Sequence, residues 1–206
     1  LKSDGRLWKV SVLFPPFLWL RDRLRACGAL LLLCSPALES GEVCAQTAGG
    51  SPAAPERPSI LALPTEKPPR IDGKLDDDCW QAALPLTNFT QVLPVEGAPP
   101  TERTEVRFVY TRDYLYIAVR CFDSAPRQII AKQLQRDNDF DSDDFVTLAF
   151  DTFNRQRDGY FFSVNAAGAR TDGLIQNFSE RRREWDAIWS ARAQIDDLGW
   201  TAEIAI

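Results

Sequence analysis

The chain predicts an all-β domain, a sandwich or a barrel, and three observations carry that prediction. Apolar and polar residues alternate with period two in run after run between residues 105 and 206, which gives each strand one inward and one outward face. Turn-forming clusters separate the runs, as at Thr111-Arg112-Asp113, Ala166-Ala167-Gly168-Ala169 and Asp196 to Gly199. Only one stretch, Asp76 to Ala83, reads as a helix. Many short strands with turns between them are the signature of a sandwich or a barrel.

Residues 1–45 read as a leader. Arg21, Arg23 and Arg25 make a positive start, Ala26 to Leu33 an apolar centre, and Val43-Cys44-Ala45 before Gln46 a small-residue cleavage site. The apolar run is shorter than the about 20 residues a membrane span needs. Val10 to Leu20 is a second apolar run, broken by Pro15-Pro16, and it leaves an uncleaved anchor open. Residues 46–69, rich in Ala, Gly, Pro and Ser, read as a semi-stiff linker. The domain is expected to run from 70 to 206.

Its strands follow in order. Val106, Phe108 and Tyr110 alternate with Glu105, Arg107 and Val109. Leu115, Ile117, Val119 and Cys121 alternate with Tyr114, Tyr116, Ala118 and Arg120. Val146, Leu148 and Phe150 come next, then Tyr160, Phe162 and Val164, then a strand near Thr171 to Gln176. Trp189, Ala191, Ala193 and Ile195 form another face, and Trp200, Ala202, Ile204 and Ile206 the last. The chain holds no Met and stops inside this final alternation, so it is expected to be part of a longer protein, truncated at its C-terminal side.

Composition narrows the chemistry. With no His in 206 residues, a His triad, a His general base and a His metal site are excluded, and no His or Met is there to ligate haem. The net charge of -5 argues against a nucleic-acid surface, which needs a clustered positive field. No motif selects a pair of carboxylates for glycoside hydrolysis, so this segment is expected to be non-catalytic. Cys79 and Cys121 are either a disulfide in an exported domain or two buried thiols.

Residues 70–206 resemble a family 9 carbohydrate-binding module, in the version found at the N-terminus of large bacterial envelope proteins. The resemblance rests on Ile71-Asp72-Gly73-Lys74-Leu75-Asp76 with Trp80, on Leu115 to Cys121, and on Ser142-Asp143-Asp144 leading into Val146 to Asp151. Phe162 to Gly168, Trp185-Asp186 with Trp189, and Gly199 to Ile204 complete it. It implies a jelly-roll-like sandwich of antiparallel strands, non-catalytic sugar binding, structural Ca²⁺, and a downstream region, barrel-like in the envelope proteins, against which the domain packs. It also implies an exported protein, periplasmic, outer-membrane-associated or secreted, whose parent is involved in polysaccharide binding or catabolism. Members that bind sugar sandwich it between two aromatic rings beside a carboxylate. Here Asp141, with Phe140 beside it, stands at one aromatic position, and Thr147 stands at the carboxylate position. A structural envelope module that has lost its sugar is the competing expectation.

The candidate carbohydrate-binding residues are Trp185, Arg120, Asp144 and Asn165. An indole face stacks on a pyranose while neighbouring polar groups take its hydroxyls. Trp185 is either that platform or core packing, whereas Trp189, Trp80 and Trp200 are assigned to the core. Arg120 shares a face with Tyr114 and Tyr116, a binding face or a partly solvated sheet. Asn165, at a strand end, bonds hydroxyls or backbone. The candidate metal ligands are Asp137, Asp139, Asp141 and Asp143. Carboxylates at alternate positions can converge on a hard cation such as Ca²⁺; the same run also reads as a solvated loop offset by Arg136, Arg155 and Arg157.

Overall fold

The computed structural model describes residues 60–155, 157–177 and 179–206. The leader lies outside these residues, as does the linker up to residue 59. Among these residues one α-helix, one 3-10 turn and nine strands follow in chain order: β1 (Leu63–Pro64), α1 (Asp78–Ala82), β2 (Thr104–Tyr110), β3 (Leu115–Phe122), the 3-10 turn (Pro126–Gln128), β4 (Phe145–Phe150), β5 (Gly159–Asn165), β6 (Arg170–Gln176), β7 (Glu180–Arg182), β8 (Ser190–Asp196) and β9 (Gly199–Ala205). They build two sheets, one of five strands in the order β1-β2-β3-β9-β8 and one of four in the order β4-β5-β6-β7. The fold is thus an all-β sandwich with one short helix. Every pairing is antiparallel except β1 with β2, which is parallel.

The alternation expected from the sequence is what closes the sandwich. Val106, Phe108, Ile117, Val119, Trp200, Ala202 and Ile204 of the large sheet meet Val146, Leu148, Phe162 and Val164 of the small one in one continuous core. Each such side chain, taken fully out of water, contributes about 1.5–3 kcal/mol. Trp189 and Trp200 are buried here, as expected.

The other face of the large sheet carries a second core. Val109, Tyr116, Ala118 and Ala205 are covered by Trp80 and Ala83 of the α1 segment, with Leu63, Ile71, Leu75 and Cys79 around them. Trp80 therefore belongs to an outer layer rather than to the space between the sheets. Two boundaries also differ from expectation. The last residues of the supposed linker are part of the fold: Ala62 is buried, and Leu63–Pro64 pair with Val109–Tyr110. An apolar Ile-Leu-Ala-Leu stretch beside an open strand edge gains more from pairing than from solvation. Glu180–Arg182, which has no alternation to betray it, pairs with β6 as an exposed edge strand.

Cys79 and Cys121 are free thiols. Cys79 packs in the outer cluster and Cys121 against the inner core, on opposite faces of the large sheet. Burial pushes the Cys121 thiol up to about 12, which keeps it protonated and unreactive.

Candidate functional site

The segment Arg70 to Trp80 makes the turn and short helix that roof the outer face of the large sheet. Two features hold it there. Gly73 has φ of 90°, and a Cβ on it would press to 3.1 Å from the Ala193 backbone carbon; only glycine combines that conformation with that approach. Beneath it, Glu203 of β9 is fully buried. Its carboxylate accepts from the Asp72 N–H at 2.9 Å, the Gly73 N–H at 2.8 Å and the Trp80 indole N–H at 2.7 Å. Thr201 adds a hydroxyl donated to the Gly73 carbonyl at 2.6 Å.

Beside this roof the sheet is open, leaving a cleft of about 380 Å³. Its floor comes from outward positions of β2, β3, β8 and β9: Arg107, Arg120, Gln194, Asp196 and Thr201. Its rim comes from the roof: Gly73, Lys74, Leu75, Asp76, Trp80 and Gln81. The registers Glu105↔Arg120, Arg120↔Thr201 and Gln194↔Thr201 put the floor residues on adjacent rows. Arg120 is fixed by a two-pronged pair with Asp196, at 2.6 and 3.0 Å, and its guanidinium lies 5.3 Å from the Phe122 ring centre. Burial opposes ionisation of Asp196, but the Arg120 hydrogen bond and the Leu198 N–H hold its carboxyl below the usual range. Arg107 pairs with Glu105 at 2.8 Å, and Arg103 takes the other Glu105 oxygen at 2.5 Å. The two guanidiniums, held by their carboxylates, and the Gln194 amide together can donate and accept several directed hydrogen bonds at once.

The four residues expected to bind carbohydrate do not meet. Arg120 stands on the cleft floor, on the outward face the sequence assigns to it. Trp185 packs instead on the small sheet's inner side, half-buried, with its ring 4.8 Å from Tyr160 and edge-on to Phe162. Asp144 accepts the Ile130 N–H at 2.6 Å, and burial raises its pKa. Asn165 is completely buried. Its amide donates to the Gln133 carbonyl and to Asp143, and its oxygen accepts the Ala169 N–H, all at 2.8 Å. Asn165 is thus a turn-builder with nothing left for a ligand. The position where the resemblance puts an aromatic platform is also closed. Phe140 is buried against Phe145, and the Thr147 hydroxyl bonds that of Ser163 at 2.7 Å.

The expected Ca²⁺ ligands are dispersed as well. Asp143 is buried, and one of its oxygens accepts from the Lys132 and Gln133 N–H groups and from Asn165. Asp137 pairs with Arg136 at 3.3 Å and Asp139 with Arg183 at 3.5 Å. Burial raises the pKa of Asp141, and a hydrogen bond with Asp139 adds to it. Among the described residues, no three His, Cys, Asp or Glu side chains are grouped to hold a metal ion. The alternation of acids was real, but the loop turns its carboxylates to different partners, so these residues do not fit a Ca²⁺ site.

Sequence reasoning missed the cleft's other members: Lys74, Arg107, Gln194, Asp196 and Thr201. Their alternation placed Arg107, Gln194 and Thr201 on outward rows, and that was the available signal. Which outward rows stay uncovered depends on how far the roof reaches.

No protein-family model matches the chain, and no curated protein does. Two solved chains match it. One, from Bacteroides uniformis, is a protein inferred to bind carbohydrate. It shares 12% identity over 70% of each chain, with a TM-score of 0.50. At that identity the likeness shows the common sandwich fold and nothing finer.

Proposed function

We propose that this domain binds carbohydrate without chemical turnover, in the cleft over the outer face of the five-stranded sheet, as an exported module akin to the family 9 modules. The observation that carries the reading is the cleft floor itself. Arg120, fixed by Asp196, stands beside Arg107, Gln194 and Thr201, and planar donors and acceptors in a shallow trough suit a ring bearing hydroxyls on its rim. The sandwich that the domain shares with a protein inferred to bind carbohydrate agrees with it. Leu75 and the edge of Trp80 supply the apolar wall.

Calorimetry with a panel of mono- and oligosaccharides tests the reading. Arg120→Ala should weaken a detected sugar about 10- to 100-fold, since hydrogen bonds from a charged group contribute about 1.5–3 kcal/mol. Trp185→Ala should leave affinity unchanged while lowering stability by about 2 kcal/mol, less than a fully buried indole. Loss of binding in Trp185→Ala, with Arg120→Ala unaffected, would move the site to the small sheet.

A second reading, a structural envelope module without a sugar, is favoured by the closed aromatic position at Phe140 and Thr147. A glycan array that returns no ligand for the folded domain would select it.

A further inference from the structure

We infer that the cleft is built for an anionic sugar, one carrying a carboxylate or a sulfate group, rather than for a neutral one; the inference rests on the cleft being the carbohydrate site. Three cationic side chains line it, Lys74, Arg107 and Arg120, against two acids, Asp76 and Asp196.

The acids are already committed. Asp196 is spanned by both terminal nitrogens of Arg120, and Asp76 shares Arg70 with Asp72 and Asp77, two acids outside the cleft lining, at 3.4, 3.8 and 3.8 Å. The cations are not matched in the same way. Glu105, the partner of Arg107, is divided between Arg107 and Arg103, so two positive charges share one carboxylate. Among the described residues, the Lys74 ammonium makes no ion pair and the side-chain amide of Gln194 has no hydrogen-bond partner.

The groups left over are therefore mainly N–H donors, with the surplus positive charge on the Arg107 side, where two guanidiniums share Glu105. A neutral sugar offers hydroxyls that donate as readily as they accept and would leave part of this donor set unmatched. An acid group on the sugar accepts from several donors at once and gains charge-assisted bonds. The surplus is local: the chain as a whole carries -5, so the attraction acts at contact range and is screened by salt beyond about 10 Å.

The test uses matched pairs on the purified chain: polygalacturonate against its fully methyl-esterified form, and dextran sulfate against dextran. The expected result is that at least one charged member binds about tenfold or more tighter than its neutral partner, with the margin shrinking as salt is raised. The first pair reads carboxylate and the second sulfate, so the pair that responds identifies the acid group. Lys74→Gln, which alters an exposed side chain, should reduce the margin severalfold and leave thermal stability unchanged. Equal binding of charged and neutral members overturns this inference and leaves carbohydrate binding standing. Tighter binding of the charged members that survives Lys74→Gln together with Arg107→Gln also overturns it, because the attraction would then lie elsewhere. No binding to any glycan, charged or neutral, overturns both.

Discussion

Glu203→Ala is expected to lower stability by about 3–5 kcal/mol, because removing one partner from a buried charged network leaves the others unsolvated and unpaired. Three donors lose their acceptor together: the indole of Trp80 and the N–H groups of Asp72 and Gly73. The roof is then held only by the Thr201–Gly73 bond and its apolar packing, and the cleft should lose its shape. Urea denaturation measures the first effect and glycan titration the second; a midpoint within error of wild type would refute the anchoring role.

Glu203→Gln tests the charge separately. Burial raises the Glu203 pKa, against the pull of the hydrogen bonds from Trp80, Gly73 and Asp72. A carboxyl whose folded pKa exceeds its unfolded one binds its proton more tightly when folded. Its contribution is complete below the unfolded pKa and is lost as pH rises through the folded one. The margin of wild type over Glu203→Gln should accordingly shrink with rising pH across that range. Asp141 and Asp144, also raised, keep their slopes in both proteins and cancel in the difference. A margin constant with pH would contradict the shift.

The second large effect belongs to Asp172, buried on the inner side of the small sheet. It accepts from the Trp189 indole at 2.8 Å, the Ala187 N–H at 2.7 Å and Arg136 at 3.1 Å. Arg136 also reaches Asp186 and the Ala187 carbonyl. Asp172→Ala strands the Trp189 indole and the Ala187 N–H, while Arg136 keeps Asp137 and Asp186, and a loss of about 3 kcal/mol is expected. Trp189 fluorescence should shift because its ring loses its hydrogen-bond acceptor. In protein that remains folded, glycan affinity should be unchanged, since nothing from the small sheet lines the cleft. A coupled loss of affinity in the folded fraction would deny that the two faces are independent.

Much of the architecture was legible in the sequence because it follows from a local rule. Alternation at Val106-Phe108, Ile117-Val119, Leu148, Phe162-Val164 and Ala202-Ile204 marks the core, with Trp189 and Trp200 between the sheets; Trp80, which reads as core in the sequence, packs in the outer layer instead. The acid partners of two of those tryptophans were not legible. Glu203 lies 123 residues from Trp80, and in the sequence it stands as one more outward polar residue in an alternating strand. The same outward position became the most buried carboxylate of the roof once a second layer covered it. Asn165 failed for a related reason: an amide at a strand end has two uses, and the loop carrying Gln133 and Asp143 decided between them. The acidic run failed because spacing along a chain does not determine where a loop aims its carboxylates. The outward placement of Arg120 was legible because its side of the strand is a matter of parity, and the roof stops short of it.

The cleft draws its rim from residues 73–81 and much of its floor from residues 194–201. During synthesis, the early piece must wait for more than a hundred further residues to emerge before any ligand could be held. Loop closure over that distance makes assembly of this region intrinsically slow. Occupancy therefore becomes a report on whether translation reached β9 and the polypeptide docked there. A chain that stopped before β9 would lack Thr201 and the Glu203 that anchors the roof, even with every earlier residue intact.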